Sequence, residues 1–392
     1  MTARAQKEYS KSEWDSLLVD HTVSGEPGVS IGGTGHVGGA VLHKLLEQHP
    51  EGVQVKVLVR SEDKASRLVA KYPQVQTVIG DLSNHDTIEA ASREADIVIN
   101  TGPDITHGGA IEAALRGLKA RSDTGSSPTP YYIQTSGASL IWDEPEGNSE
   151  AKWWDDVDDI LELSTKGESH THAVTDKLVR DAAPDVNVAI VSPGFVAGIS
   201  PSIEHPTPIT TPALVTTARA FSCGFQIAQG ENSHAWIHVL DLARIFTTLV
   251  DDALATLGGT PIERPGQLPL WGPEAYYFGT GEDLPFADFM KNLVPVLHEH
   301  GVISSHEIES VNVTEAARIS LAGPGGEYDP DAAPPPPDSW AMHIAIMYGV
   351  NMRIRASRIE RLGWKPEQGS VVDTFKDIVP AFLSWETKSK ST

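Results

Sequence analysis

Val29-Ser30-Ile31-Gly32-Gly33-Thr34-Gly35-His36-Val37-Gly38-Gly39 is the stretch whose reading decides the fold. A short β-branched run enters it, and Ala40-Val41-Leu42-His43-Lys44-Leu45-Leu46 follows with the apolar stripe of a helix. Strand, glycine turn and helix, in that order, form the context in which a loop holds a dinucleotide. Of the glycines at 32, 35 and 38, the first permits the tight turn and the second lets a pyrophosphate approach bare backbone. The third brings helix and strand close, and the helix start offers free N–H groups and a positive dipole end. Gly32, Gly35, His36, Val37 and Gly38 are therefore the loop residues expected to meet a cofactor.

Outward from the loop, short apolar runs alternate with helical patterns. Val53 to Val59, Val75 to Ile79, Asp96 to Asn100, Tyr131 to Gln134 and Val186 to Val191 read as strands. Wholly apolar strands separated by helices imply a parallel sheet covered on both faces, and right-handed crossovers make it doubly wound. The expected fold is thus a Rossmann-type α/β domain over 27–194, after an N-terminal extension over 1–26. Residues 195–392 are expected to mix a smaller substrate-binding lobe with elements returning to the sheet. Stretches 258–285 and 323–338 are rich in Gly and Pro, and the Pro334–Pro337 run reads as loop or linker.

Composition narrows the function classes. A 392-residue chain with 40% hydrophobic and 21% charged residues is ordinary globular material. No apolar run approaches the roughly 20 residues of a membrane span. The single cysteine, Cys223, precludes an internal disulfide and suits a reducing, cytoplasmic compartment. A formal charge of −23 argues against nucleic-acid binding, which needs clustered Lys and Arg. The expected partners are a small-molecule substrate and a second copy of the chain in a homodimer.

Arg60 stands where the second strand ends, about 20 residues past the glycines, where NAD-binding loops place an acid for the ribose diol. A guanidinium pairs with a 2′-phosphate and cannot accept from hydroxyls. NADP is therefore the expected cofactor, ahead of NAD.

The glycine spacing resembles the T-G-x-x-G-x-x-G loop of the short-chain dehydrogenase/reductase superfamily. The match is to its extended branch, with nucleotide-sugar epimerases and dihydroflavonol reductases; Ile31 replaces the usual Thr. Val191-Ser192-Pro193-Gly194-Phe195-Val196-Ala197-Gly198, Trp236 to Ala243 and Leu362-Gly363-Trp364-Lys365-Pro366 are similar to further segments of that branch. The resemblance implies that Asp81, in Gly80-Asp81-Leu82, bonds the adenine amino group. It also implies that Asn100-Thr101-Gly102 lies along the adenosine ribose and that Pro193, Gly194 and Phe195 border the nicotinamide. A serine, here Ser136, would polarise the substrate carbonyl. In the family's Y-x-x-x-K helix a Tyr moves the proton and a Lys lowers its pKa while holding the nicotinamide ribose.

Lys177 matches that lysine, and Ala173 stands where the tyrosine belongs. On a helix, positions 170, 173, 174 and 177 share a face, which offers His170 as proton donor. His172 would lie about 140° from Lys177 and face elsewhere. His107 is a further cleft candidate. Trp153-Trp154-Asp155-Asp156-Val157-Asp158-Asp159 reads either as a lid or as a helix start with acids at the positive dipole end. The pairs His170/His172 and His298/His300 lack the spacing and cysteines of a metal site. The favoured function is an NADP(H)-dependent oxidoreductase acting on a carbonyl or alcohol. The alternatives are a non-redox isomerase, cyclase or lyase, and a cofactor-sensing regulator similar to NmrA.

Overall fold

A computed structural model describes residues 28–30, 33–122, 128–264, 268–322, 329 and 331–389. Ile31 and Gly32, the N-terminal extension and part of the 323–338 stretch lie outside the described residues. Seven strands form one parallel sheet: β1 (Gly28–Ser30), β2 (Gln54–Val59), β3 (Val75–Ile79), β4 (Ile97–Asn100), β5 (Tyr131–Thr135), β7 (Asn187–Pro193) and β11 (Tyr276–Gly279). Their order is β11-β7-β5-β4-β1-β2-β3, so the winding reverses beside β1. Ligands of doubly wound sheets bind at such a reversal, outside the carboxyl ends of the strands.

The strands read from sequence all form, with bounds shifted by one or two residues. The seventh was missed. Tyr276–Gly279 is only four residues long and sits inside a Gly- and Pro-rich stretch, yet it pairs in register with Ile190–Pro193. Its burial explains the apolar sequence. Behind the sheet, the helix His36–Gln48 buries Ala40, Val41, Leu42, Leu45 and Leu46 at spacings of three and four. Ser61 caps the next helix, Glu62–Lys71, by accepting from Lys64 N at 3.3 Å.

The C-terminal half adds a three-stranded sheet, β12 (Glu282–Pro285), β10 (Ser233–His238) and β8 (Phe195–Ala197), and a pair, β13 (Ile308–Val311) with β9 (Gly224–Ile227). These pack with helices around a second apolar core that includes Phe225, Trp236, Phe286, Phe289 and Tyr348. Trp236 stacks on Phe289 with centroids 4.7 Å apart. Two of the family-like segments meet here for structural reasons. The Asp241 carboxylate accepts from the backbone N–H groups of Glu367 and Gln368, each at 3.0 Å, and the Trp364 indole donates to Asp241 O at 3.3 Å.

The run Trp153 to Asp159 opens as a strand rather than a lid, and its last acid, Asp159, N-caps the short helix Ile160–Ser164, as the helix-start reading expects. Trp154 and Asp155 form β6, which pairs with β14 (Ile354–Arg355). Lys152 and Lys166 lie over the Trp154 ring, at 3.8 and 4.1 Å. Asp156 is fully buried and takes the backbone N–H groups of Phe278 and Arg358, at 2.8 and 2.9 Å. The run thus ties the sheet's edge strand to the C-terminal segment.

Candidate active site

The residues expected to meet a cofactor lie along the carboxyl edge of the sheet. Gly35 is the N-cap of the His36–Gln48 helix and brings no capping side chain, and the first turn holds no acid. The N–H groups of that turn suit an anion, and the absence of a competing cap fits a pyrophosphate. Val37 packs half-buried on the first core, and Gly38 and Gly39 are buried in the helix. His36 is buried, and burial lowers its pKa to about 4, so it adds no positive charge.

Arg60 directly follows β2, and Asp81 follows β3. Asn84 Oδ1 accepts from Asp81 N at 2.7 Å and Asp81 Oδ1 accepts from Ser83 N at 2.8 Å, which shapes the turn over buried Leu82. Asn100 is buried at the end of β4; its Oδ1 accepts from Gly102 N at 2.8 Å and so sets the Asn100-Thr101-Gly102 turn. Pro193 ends β7 and Phe195 begins β8. Between them, a Cβ on Gly194 would lie 2.4 Å from Ala235 O, so only glycine fits that crossing. His107 lies near Asp81, Asp104 and His85, its backbone N–H donates to Asp104 O at 3.0 Å, and burial lowers its pKa against the pull of the two carboxylates.

The catalytic half departs from the expected register. Ser136 is buried, fixed by its N–H to Val191 O at 2.8 Å, and its Oγ donates to Asp176 Oδ2 at 3.1 Å. The following helix starts at Ala173, so His170 lies in the turn before it and shares no helix face with Lys177. Lys177 points outward with its side chain 66% exposed, and its ammonium pairs with Asp181. The buried row is Ala173, Asp176 and Val179, one residue displaced from the row through Lys177. Neither Lys177 nor His170 is therefore brought to Ser136.

His172 is. It is the N-cap of the helix, in the left-handed region at φ 68°, which turns its ring inward rather than along the helix repeat. Its Nδ1 lies 2.6 Å from Asp104 Oδ2, which also accepts from Thr175 Oγ1 at 2.8 Å. A Cβ built on Gly137 would lie 2.6 Å from His172 Nε2. The second ring nitrogen thus rests against the residue next to Ser136. Burial opposes charge on both partners, and their mutual attraction outweighs it. His172 is raised above the ordinary histidine value, and Asp104 is held below the usual carboxylate range, helped by Thr175.

Burial raises Asp176 to about 7 against the pull of His172. Its Oδ1 has no hydrogen-bond partner among the described residues. Tyr276 reaches the same cluster from β11; its hydroxyl is pushed well above its usual value, by burial first and then by Asp176, so it keeps its proton at neutral pH. Trp142, six residues past Ser136, stacks on His343 at 4.9 Å, and His343 stacks on Trp340 at 5.2 Å. Burial, with the nearby His172, lowers His343 to about 4 and leaves this wall uncharged.

Asp104, Asp176 and Tyr276 were not found from sequence. One signal was available: His172 and Asp176 repeat the four-residue spacing of the Y-x-x-x-K helix, displaced by one position.

Residues 32–135 match the NAD(P)H-binding family. The oxidase UcsJ of Acremonium sp. is 26% identical over 360 residues, which cover 89% of this chain and 95% of that protein. The fold is similar to dTDP-glucose 4,6-dehydratase of Bacillus anthracis, solved with NAD (TM-score 0.54, 12% identity, 92% and 97% of the two chains). It is similar also to UDP-glucose 4-epimerase of Thermotoga maritima (0.54, 13%, 91% and 99%) and to vestitone reductase of alfalfa (0.52, 18%, 90% and 97%). The chain carries an NAD(P)H-binding domain and has the fold of the extended short-chain dehydrogenases/reductases. No helix among the described residues is long and apolar enough to cross a membrane.

Proposed function

We propose that this chain is an NADP(H)-dependent oxidoreductase acting on a carbonyl or alcohol of a small organic substrate, with His172 replacing the tyrosine as proton donor. One observation carries the reading: an imidazole anchored through Nδ1 by a buried carboxylate at 2.6 Å, with Nε2 set against Gly137, the residue that follows the serine. Carboxylate, imidazole and hydroxyl in this order hold the ring in one tautomer and stabilise the imidazolium.

The cofactor, when bound along the glycine loop, Arg60, Asp81 and Asn100–Gly102, supplies or takes a hydride. The protein does the rest. With Asp176 protonated, its O–H donates to Ser136 Oγ and releases the seryl hydrogen for the substrate oxygen. In the reductive direction that oxygen takes the proton from His172 Nε2 as the carbonyl carbon gains the hydride. His172 then recovers a proton from solvent. The uncharged Trp142–His343–Trp340 wall suits an apolar substrate body.

Asp104→Asn removes the anion that raises His172. Burial then opposes only the weaker pull of Asp176, and the imidazole pKa falls. A general acid works below its pKa, so the alkaline limb of kcat for carbonyl reduction should move to lower pH. At neutral pH the loss should fall within the ~10²–10⁴-fold that general acid catalysis contributes. An unmoved limb in a pH–rate series contradicts the assignment.

Arg60→Ala should weaken NADPH by about 1.5–3 kcal/mol, the worth of a charge-assisted phosphate contact, and leave NADH binding unchanged. Equal affinities of the unaltered protein for both cofactors, by calorimetry, would remove the NADP preference.

A non-redox isomerisation on the same scaffold is the second reading. Asp176 favours it: an acid with a pKa of about 7 stands at the four-residue spacing where the family keeps a cation. With His172 it gives two proton-active groups around one serine.

A further inference from the structure

Between β8 and the helix Thr210–Phe221 the chain crosses the start of the cofactor-loop helix and is fastened there. Ser200 Oγ donates to His36 O at 2.6 Å, and Ser202 Oγ donates to Thr34 O at 2.7 Å. The strap lies so close that a Cβ on Gly39 would fall 2.6 Å from Ser202 Cα. Ser202 Oγ also accepts from the N–H groups of Glu204 and His205, at 3.1 and 3.0 Å. That turn directs the Glu204 carboxylate, 11% exposed, onto the helix Glu62–Lys71. Lys64 Nζ lies 3.0 Å from it, Arg67 pairs with its other oxygen, and Lys71 donates to Pro201 O.

This contact lies beside the place where a dinucleotide's adenosine is read. Lys64 stands in the first turn of a helix that begins right after Arg60-Ser61, and Arg60 is close enough to His205 for its charge to act there. The residue ending the second strand is the one that distinguishes a ribose hydroxyl from a 2′-phosphate. Arg60, Lys64 and Arg67 thus gather at one end of the site, and a carboxylate from the strap engages two of them. Arg67 also meets Asp63, at 3.0 Å, but that acid is solvent-exposed and counts for less.

We propose that Glu204 is a specificity-determining residue: its carboxylate competes with the 2′-phosphate of NADP(H) for Lys64 and Arg67, and so narrows the preference for NADP(H) over NAD(H). The proposal rests on the dinucleotide reading of the site. Replacing the carboxylate by an amide leaves the strap's serine anchors in place and frees both cations for the phosphate.

The test is the dissociation constant of NADPH and of NADH, by calorimetry on the full chain. Glu204→Gln should raise the ratio Kd(NADH)/Kd(NADPH) about three- to tenfold, through tighter NADPH binding. The triple variant Lys64→Gln/Arg67→Gln/Glu204→Gln should lose that gain. Lys64→Gln alone, which does not depend on the first variant folding, should weaken NADPH and leave NADH unchanged. A ratio in Glu204→Gln within about twofold of the parent, a gain that persists in the triple variant, or equal effects of Lys64→Gln on both cofactors would each overturn the proposal. If the parent binds neither cofactor, the dinucleotide reading itself falls, and the proposal with it.

Discussion

Replacing His172 with phenylalanine is expected to lower turnover by roughly 10²–10⁴-fold, the contribution of a positioned general acid, with NADPH affinity unchanged. The ring's volume is kept, so the loss isolates the proton. A second effect goes with it. Asp104 is 4% exposed and would retain, among the described residues, Thr175 as its side-chain donor. A buried carboxylate stripped of its cationic partner costs about 1–3 kcal/mol of stability or more, so the melting midpoint should fall as well. His170→Phe, in the neighbouring turn, should change neither quantity. If His170→Phe abolishes turnover and His172→Phe does not, the assignment reverses. Kinetics and calorimetry on the two variants decide it.

Gly137→Ala is expected to cost nearly as much, without touching any titratable group. The added methyl would lie 2.6 Å from His172 Nε2 and 3.2 Å from its Cε1. An exposed side chain would swing away. This one cannot retreat freely, because Asp104 holds its other nitrogen at 2.6 Å. Either the imidazole shifts from Ser136 or its anchor lengthens. A misplacement approaching 1 Å at a reacting group costs about 10²-fold, so kcat should fall by that order while cofactor affinity holds. Unchanged kcat would mean that Nε2 plays no part in the chemistry.

The two halves of the site differ in how much of them the sequence disclosed. Cofactor-side residues sit in β-α turns, where local sequence fixes local shape. Gly35 caps a helix closely, Asp81 makes its own turn and Asn100 ends a strand, so the local shape at each was legible in the sequence. The catalytic half depends on where one helix starts. Reading the helix through His170 put Ala173 and Lys177 on the inner row. The observed start at Ala173, with His172 in the left-handed region, turns Asp176 inward and leaves Lys177 in solvent. A one-residue displacement of that kind is invisible to periodicity, since a short helix carries only two or three turns of pattern. Asp104 was invisible for another reason. It meets His172 across 68 residues of chain, and only the fold brings them together. The tryptophan run misled because its aromatic and acidic residues serve strand pairing and backbone capping, roles that composition alone does not separate from a lid. Tyr276–Gly279 was hidden by its Gly- and Pro-rich surroundings, although its four residues are fully apolar or small.

The central claim is that hydride moves between a nicotinamide and the substrate as His172 moves the proton. A neutral ring ketone such as 1-tetralone, incubated with NADPH carrying deuterium at both hydrogens of nicotinamide C4, tests it most directly. Mass spectrometry of the product and absorbance of the reduced nicotinamide are read together. The expected result is one deuterium in each product molecule and one NADPH oxidised for each. Product that forms without deuterium while the nicotinamide absorbance stays constant, or no turnover of any carbonyl by a protein that binds NADPH, would contradict it.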